Sequence, residues 1–329
     1  MGNALRILMI TTEWPTPEFP HRVPFITRQA SYLQKAGIDV TLHPFLGAKN
    51  PLNYMKAWAT VHKMLRRERY DLIHAQWGQS TLPTLFRNLP LVVTFRGDDL
   101  EGIIGRNGRH TLAGQILRWI SLWAAKTADE VIVVSKSLIP SHIRRNYHLI
   151  PSGLDMELFR PIPRMEARLA LGITTDKPLI LFSGAAKNPR KRLDLAQKTV
   201  NHLKCYLDTD LVVASDVPIT QIPLFMNACN TLLLTSIHEG SPNVVKEAIA
   251  CNLPVVSTNV GDVAERIQDL PGCFISSDDR PETLAGLLAR SIQTHPRPKI
   301  RDAVKDLDEH LLTRKVLSVY ESAIKSYRS

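Results

Sequence analysis

Short apolar runs alternate with helix-patterned stretches along the whole chain, and this alternation restricts what it can fold into. Runs such as Ile7-Leu8-Met9-Ile10, Leu91-Val92-Val93-Thr94-Phe95 and Thr231-Leu232-Leu233-Leu234 are short and bounded by turn signals. They read as strands buried on both faces. In the first half, strands are expected at about 6–12, 39–45, 71–76, 90–96, 130–135 and 148–151, with helices near 24–36, 51–68, 109–127 and 136–145. Pro151-Ser152-Gly153-Leu154-Asp155 and Phe159-Arg160-Pro161-Ile162-Pro163 then interrupt the pattern as an interdomain linker. Alternation restarts with strands at about 178–183, 210–214, 231–236, 254–258 and 273–276. Strand–helix alternation of this kind builds parallel sheets with crossover helices. The expectation is an α/β protein of two doubly wound domains, 1–160 and 161–310, with ligand sites facing one another at the strand carboxyl ends. A long amphipathic helix closes the chain at about 309–327, and this C-terminal piece (about 311–329) is expected to pack back on the first domain.

A length of 329 residues suits two domains, and a composition of 44% hydrophobic and 22% charged residues is that of a globular protein. No apolar run approaches the length needed to span a bilayer, and the first residues lack the apolar core of a signal peptide. The four cysteines, Cys205, Cys229, Cys251 and Cys273, are scattered in apolar elements, with no metal-ligand spacing. They are expected to be reduced, buried and inert, so the chain reads as cytoplasmic. The net charge of +10 favours phosphates or an anionic membrane surface. Without zinc-finger spacing or an aromatic RNA-binding signature, nucleic acid is not expected as a partner.

Within the second half, Glu239 and Glu247 stand eight residues apart in His238-Glu239-Gly240-Ser241-Pro242-Asn243-Val244-Val245-Lys246-Glu247-Ala248. Gly240 ends a strand, Ser241 can cap, and Pro242 suits a first helical turn, where its missing N–H costs nothing. One acid thus lies at a strand carboxyl end and the other inside the following helix, with the unpaired N–H groups of the helix start between them. A diphosphate at that helix start, with carboxylates either side for sugar hydroxyls, is a nucleotide-sugar layout. Acids beside a strand–turn–helix also occur for dipole complementarity alone, so the surrounding motifs have to decide.

Taken together in order, those motifs resemble the retaining family 4 glycosyltransferases of the GT-B fold, two Rossmann-like domains facing across a cleft. The resemblance rests on the paired-glutamate segment, on Leu253-Pro254-Val255-Val256-Ser257 and on Val260-Gly261-Asp262-Val263-Ala264-Glu265. In the first half it rests on Tyr70-Asp71-Leu72-Ile73-His74-Ala75, on Pro90 to Asp99, on Ala128 to Ser135 and on Ile150 to Asp155. The resemblance implies that Glu239 binds donor-sugar hydroxyls and Glu247 the nucleotide ribose. It also implies that the backbone around Gly240, Ser241, Pro242 and Asn243, with Gly184 and Gly261 nearby, lines the diphosphate site. Lys191 matches the family's diphosphate lysine. The family's arginine position holds Ala185, so either Lys187, Arg190 or Arg192 serves instead or one contact is missing; for Arg192 a solvated loop role is as good a reading.

Two further departures concern the first half. The loop Thr16-Pro17-Glu18-Phe19-Pro20-His21-Arg22-Val23-Pro24 has no glycine where the family is glycine-rich, and Arg22 is the candidate to supply a contact there. Arg96 stands where many relatives have histidine, and is expected to pair with Asp98, Asp99 or a phosphate. His74 is the nearest alternative polar group. The implied reaction is hexosyl transfer (EC 2.4 class) from a nucleoside diphosphate sugar to a glycan or lipid-linked acceptor, in cell-surface polysaccharide biosynthesis. Preorganised cations would stabilise the leaving diphosphate, with no metal or cofactor, and domain closure would exclude water. A nucleotide-sugar epimerase or hydrolase on the same fold, and a silent sugar-nucleotide binding subunit, are the competing readings. In the helix near 54–67, Tyr54, Trp58, Val61 and Leu65 share one face and Lys56, Lys63 and Arg67 another. That pattern fits either a core-facing stripe or a peripheral contact with the inner face of the cell membrane.

Overall fold

The structure, a computed structural model, describes residues 4–18, 20, 22–47, 50–101, 111–139, 147–294 and 296–328; within these, the side chains of Asp98, Glu101 and Ser137 lie outside the described set. The chain divides into two units, Met1–Gly153 with Glu309–Ser329, and Leu154–Asp308.

In the first unit, β1 (Arg6–Thr11), β2 (Asp39–Pro44), β3 (Leu72–Gln76), β4 (Leu91–Phe95), β5 (Glu130–Val133) and β6 (His148–Leu149) form a parallel sheet in the order β2-β1-β3-β4-β5-β6. Its helices are α1 (Pro24–Lys35), α2 (Pro51–Arg67), the short α3 (Asp98–Glu101) and α4 (Leu112–Thr127), with a 3₁₀ segment at Gly78–Thr84. Side chains alternate across the pleat, so each strand feeds two cores. Ile7, Met9, Leu72 and Val92 pack with Ile26 and Leu33 of α1 and with Val316 and Tyr320 of the C-terminal helix, Glu309–Arg328. Leu8, Ile10, Ile73 and Val93 pack on the other face with Val61 of α2 and Ala124 of α4. Each such fully buried aliphatic side chain is worth about 1.5–3 kcal/mol relative to exposure.

The second unit repeats the plan with β7 (Leu179–Ser183), β8 (Asp210–Ala214), β9 (Thr231–Leu234), β10 (Val255–Ser257) and β11 (Phe274–Ile275), in the order β11-β10-β9-β7-β8. Around them lie α5 (Arg164–Ala170), α6 (Leu193–Leu203), α7 (Ile222–Ala228), α8 (Asn243–Ala250), α9 (Val263–Ile267) and α10 (Pro281–Ile292). In both sheets the second strand is added on one side of the first and the later strands on the other. This change of side lies between β1 and β3 in one unit and between β7 and β9 in the other, the switch points at whose carboxyl ends doubly wound sheets hold ligands.

The boundary falls earlier than 160, because Leu154 N–H donates to Leu307 O at 2.8 Å and Phe159 is fully buried in the second unit's core. The helix expected over 136–145 is described only as a 3₁₀ turn at Lys136–Leu138; residues 140–146 lie outside the described set. Cys205 is exposed just beyond α6, whereas Cys229, Cys251 and Cys273 are buried and all four are free. In α2 the stripe read from the sequence turns inward: Val61 is fully buried and Trp58 Nε1 donates to Leu85 O at 3.1 Å. Trp58 itself remains 39% exposed. Several arginines of the second unit are committed to the main chain. Arg168, Arg297 and Arg301 donate to main-chain carbonyls of Ala228, Met226 and Ala250, at or near the ends of α7 and α8, where cations complement unpaired carbonyls.

Candidate active site

At the second switch point, Gly184 follows β7 and the segment Asn188–Arg192 follows it as a tight 3₁₀ turn. Asn188 Oδ1 caps that turn by accepting Arg190 N–H at 3.0 Å. Arg192 takes a left-handed φ of 53°, opening α6 and throwing Lys191 back over the strand ends. The turn is stitched to the end of β9. Thr235 Oγ1 donates to Lys191 O at 2.8 Å, and Ile237 N–H donates to Arg190 O at 2.9 Å. These bonds bring Lys191 Nζ to 2.5 Å from Glu239 Oε1, with only 18% and 10% of the two side chains exposed. Ser236 Oγ donates to the same oxygen at 2.8 Å. Charge-assisted bonds in a partly dry site are roughly twice as strong as neutral ones, so Lys191 is held in one place.

The loop 239–241 is braced from the other side. Gly261 has φ 54°, and a Cβ there would lie 2.4 Å from Gly240 O and 2.6 Å from Glu239 O. Only glycine lets the two turns approach so closely. Asp262 N–H donates to Gly240 O at 3.2 Å, and Asp262 Oδ2 accepts from Ser241 Oγ and Arg266 Nε, each at 2.8 Å. Ser241 is therefore committed to Asp262 and does not cap α8. The N-cap is Pro242, without a side-chain bond, so the first N–H groups of α8, at Asn243 and Val244, carry the positive end of the helix uncapped. Glu247, one helical turn on, is 7% exposed. Lys187 is exposed and Arg190 half-buried on the same loop, whereas Arg192 is ion-paired with Asp279. Thr235, Ser236, Asn188, Asp262 and Arg266 escaped the sequence reading; the i,i+4 spacing of Asp262 and Arg266 and the Asn-Pro pair were the available signals.

In the first unit, Arg96 leaves the end of β4 and forms a latch rather than an acid pair. Nε and Nη2 donate to Gln76 Oε1 at 3.1 and 2.9 Å, Nη2 to Gln29 Oε1 at 3.1 Å, and Nη1 to Ser152 Oγ at 2.8 Å. The guanidinium lies 4.8 Å from the Phe25 ring centroid, and burial lowers its pKa to about 10. Asp99, expected as its partner, instead accepts the N–H groups of Arg96, Gly97 and Leu100 at 3.0–3.2 Å; burial raises its carboxyl to about 7. Asp98 opens α3. Arg22 is half-buried in the loop before α1. His74 has no exposed surface: Nδ1 lies 2.7 Å from Tyr320 Oη and Nε2 2.8 Å from Thr94 Oγ1, and burial, aided by Arg96, lowers its pKa to about 3. A neutral imidazole with both nitrogens occupied ties the C-terminal helix to β3 and β4. Among the described residues, no cluster of three or more His, Cys, Asp or Glu could hold a metal ion, and no helix is long and apolar enough to cross a membrane.

Two parallel α/β units in tandem, each with polar residues gathered at its strand carboxyl ends, make up the architecture of the GT-B fold. Comparison with known proteins agrees on both halves. Residues 6–158 match the model of Glycosyltransferase Family 4 and residues 199–294 that of Glycosyl transferases group 1. The chain is 23% identical over 330 residues to TuaC of Bacillus subtilis, a protein named for glycosyl transfer in teichuronic acid biosynthesis; the match covers 79% of this chain and 82% of that one. Sucrose-phosphate synthase from Thermosynechococcus elongatus shares the fold with a TM-score of 0.83 at 14% identity, over 97% and 98% of the two chains. HepE of Anabaena, solved in complex with UDP-glucose, does so with a TM-score of 0.69 at 18% identity, over 97% and 100%. Both halves of the chain thus match glycosyltransferase models, on a GT-B fold.

Proposed function

We propose that this enzyme transfers a hexosyl group from a nucleoside diphosphate sugar to an acceptor hydroxyl, with retained anomeric configuration. The observation that carries the reading is the Glu239–Lys191 pair at the carboxyl ends of β7 and β9, beside the uncapped start of α8. As the bond from the anomeric carbon to the diphosphate oxygen breaks, negative charge grows on the leaving group. Lys191, the N–H groups of Asn243 and Val244 and the loop cations Lys187 and Arg190 are the groups that meet it electrostatically. Glu239 Oε1 is occupied by Lys191 and Ser236, which leaves Oε2 to accept donor-sugar hydroxyls. Glu247 takes the ribose. Gly184, Gly240, Ser241, Pro242 and Gly261 supply the close backbone walls. The acceptor, a growing glycan or a lipid-linked sugar in polysaccharide assembly, is assigned to the first unit, near Arg22, Asp98 and the Arg96 latch. The bound UDP-glucose of HepE and the biosynthetic name of TuaC support the donor class and the polysaccharide setting. No metal ion takes part in this scheme.

A thermal-shift screen against UDP-, GDP-, ADP- and dTDP-sugars tests it. One donor class raises the unfolding temperature, by about 2.7 kcal/mol of added stability at a hundredfold excess over Kd. Glu247→Ala abolishes that shift and the transfer, and EDTA changes neither. A panel without any shift, or full transfer by Glu247→Ala, would overturn the reading.

A further inference from the structure

The net charge of the protein is confined to one unit. The first carries 23 Lys and Arg against 12 Asp and Glu, and the second 18 against 19, which together make the 41 and 31 of the whole chain. The first unit is therefore +11 and the second −1. Within the first unit, the sequence holds no acid from residue 40 to 67 or from 102 to 128. Those stretches contain α2 and α4.

In α4 the apolar residues face outward. Leu112, Ile116 and Trp119 follow i, i+4, i+7 spacing and are 75%, 54% and 75% exposed. Trp123 extends the stripe, partly buried against the core, and Lys126 ends it with a basic head on the same face, at i+7 from Trp119. A helix whose inner face already packs through Ala124 and Ala125 gains nothing in water from such a stripe. Both α4 and α2 pack against the 3₁₀ segment Gly78–Thr84. Just beyond that segment, Phe86 is 89% exposed at a left-handed φ of 64°. Leu52 and Met55 of α2 are likewise more than half exposed.

We propose that α4, with the Phe86 turn and the start of α2, is the surface on which this protein seats on an anionic lipid bilayer. Leu112, Ile116 and Trp119 enter the headgroup–acyl boundary, an environment that suits indole rings. Arg118, Lys126 and the basic residues of α2 meet the lipid phosphates, each basic residue near the surface adding to the attraction. A second copy of the chain is a poor occupant, since it would bring another +11 unit against this one. The proposal goes beyond the transferase reading: it concerns where the enzyme works and holds whichever sugar is moved.

Flotation of the full chain with vesicles tests it. At low salt the protein floats with phosphatidylcholine vesicles containing phosphatidylglycerol, not with phosphatidylcholine alone, and added salt weakens binding. Ile116→Glu with Trp119→Glu lowers partition roughly tenfold or more, while Trp119→Phe keeps most of it. The donor-induced thermal shift is unchanged in both variants, which separates loss of the surface from loss of the donor site or of the fold. No flotation of the wild type at low salt overturns the proposal, as does flotation untouched by the double variant. A concentration-dependent dimer that the double variant abolishes overturns it too, because a second copy then covers the face.

Discussion

The two units share a strand order but handle their polar switch-point residues in opposite ways. In the second, Lys191 and Glu239 meet as a charged pair at the mouth of the sheet, braced by Thr235, Ser236 and the Gly261–Asp262 turn. In the first, Arg96, Gln76, Gln29, Ser152, His74 and Tyr320 are tied together by hydrogen bonds that pair no two charges. The unit that is nearly neutral overall holds its charges ready for a ligand. The unit with all of the net positive charge spends its site-side cation and imidazole on holding α1, the sheet and the C-terminal helix together. Net charge and site charge are thus separate properties of this chain, and reading one from the other misplaces both.

Single substitutions can break this contrast. Lys191→Ala has the largest expected effect: transfer falls on the order of 10²–10³-fold, as for removal of one preorganised transition-state donor. Stability falls by less, about 1–2 kcal/mol, because Glu239, only 10% exposed, loses its counter-ion but keeps the Ser236 bond. An equal loss of stability and activity, read by kcat and denaturant unfolding in parallel, would contradict the assignment. Arg96→Ala should show the reverse balance. It strips the partners from Gln76, Gln29 and Ser152 and destabilises the protein by about 2–4 kcal/mol. A wild-type unfolding midpoint for this variant would mean that the latch is not structural.

The smallest effect is the pH dependence, and it has two opposing parts. His74 is depressed to about 3 from 6.5, so its contribution is present above pH 6.5 and is lost as pH falls toward 3. Asp99 is raised to about 7 from 3.8, so its contribution is present below pH 3.8 and is lost as pH rises toward 7. Between about pH 4 and 6.5 the two slopes oppose each other, each at most about 1.4 kcal/mol per pH unit. Wild-type stability should therefore be flat across that window. Asp99→Asn unmasks a fall toward acid, and His74→Gln a fall toward neutral pH, in urea titrations at stepped pH. Identical profiles for the two variants would refute the pairing of causes.

Much of the fold was legible because its signals are local. Short β-branched and aliphatic runs, Gly and Pro punctuation and the closing amphipathic helix give the strands of both sheets to within a residue or two. The acids Glu239 and Glu247 were legible for the same reason: a strand end and a helix start can each be read from neighbours in sequence. Partner choice was not. Arg96 could be located but not matched, since Gln29, Gln76 and Ser152 come from three separate segments. Ser241 looks like a helix cap in its own segment and is claimed by Asp262, 21 residues away.

The amphipathic helices make the same point. Periodicity in α2 identified an apolar stripe correctly but not which way it faces, because a stripe that meets a core and one that meets lipid have the same spacing. The α4 stripe is outward only because smaller residues, Ala124, Ala125 and Ser121, already fill the contact with the sheet and the 3₁₀ segment. By itself, then, the amino-acid sequence determined the alternation, the two sheets and the residues available at their carboxyl ends, since these follow from short-range propensity and hydrophobic period. The tertiary structure alone decided which cation stands open beside Glu239, which is locked into a latch and which apolar face is left to solvent. Hydrogen-bond partnership and burial are set by segments that meet only once the chain has folded.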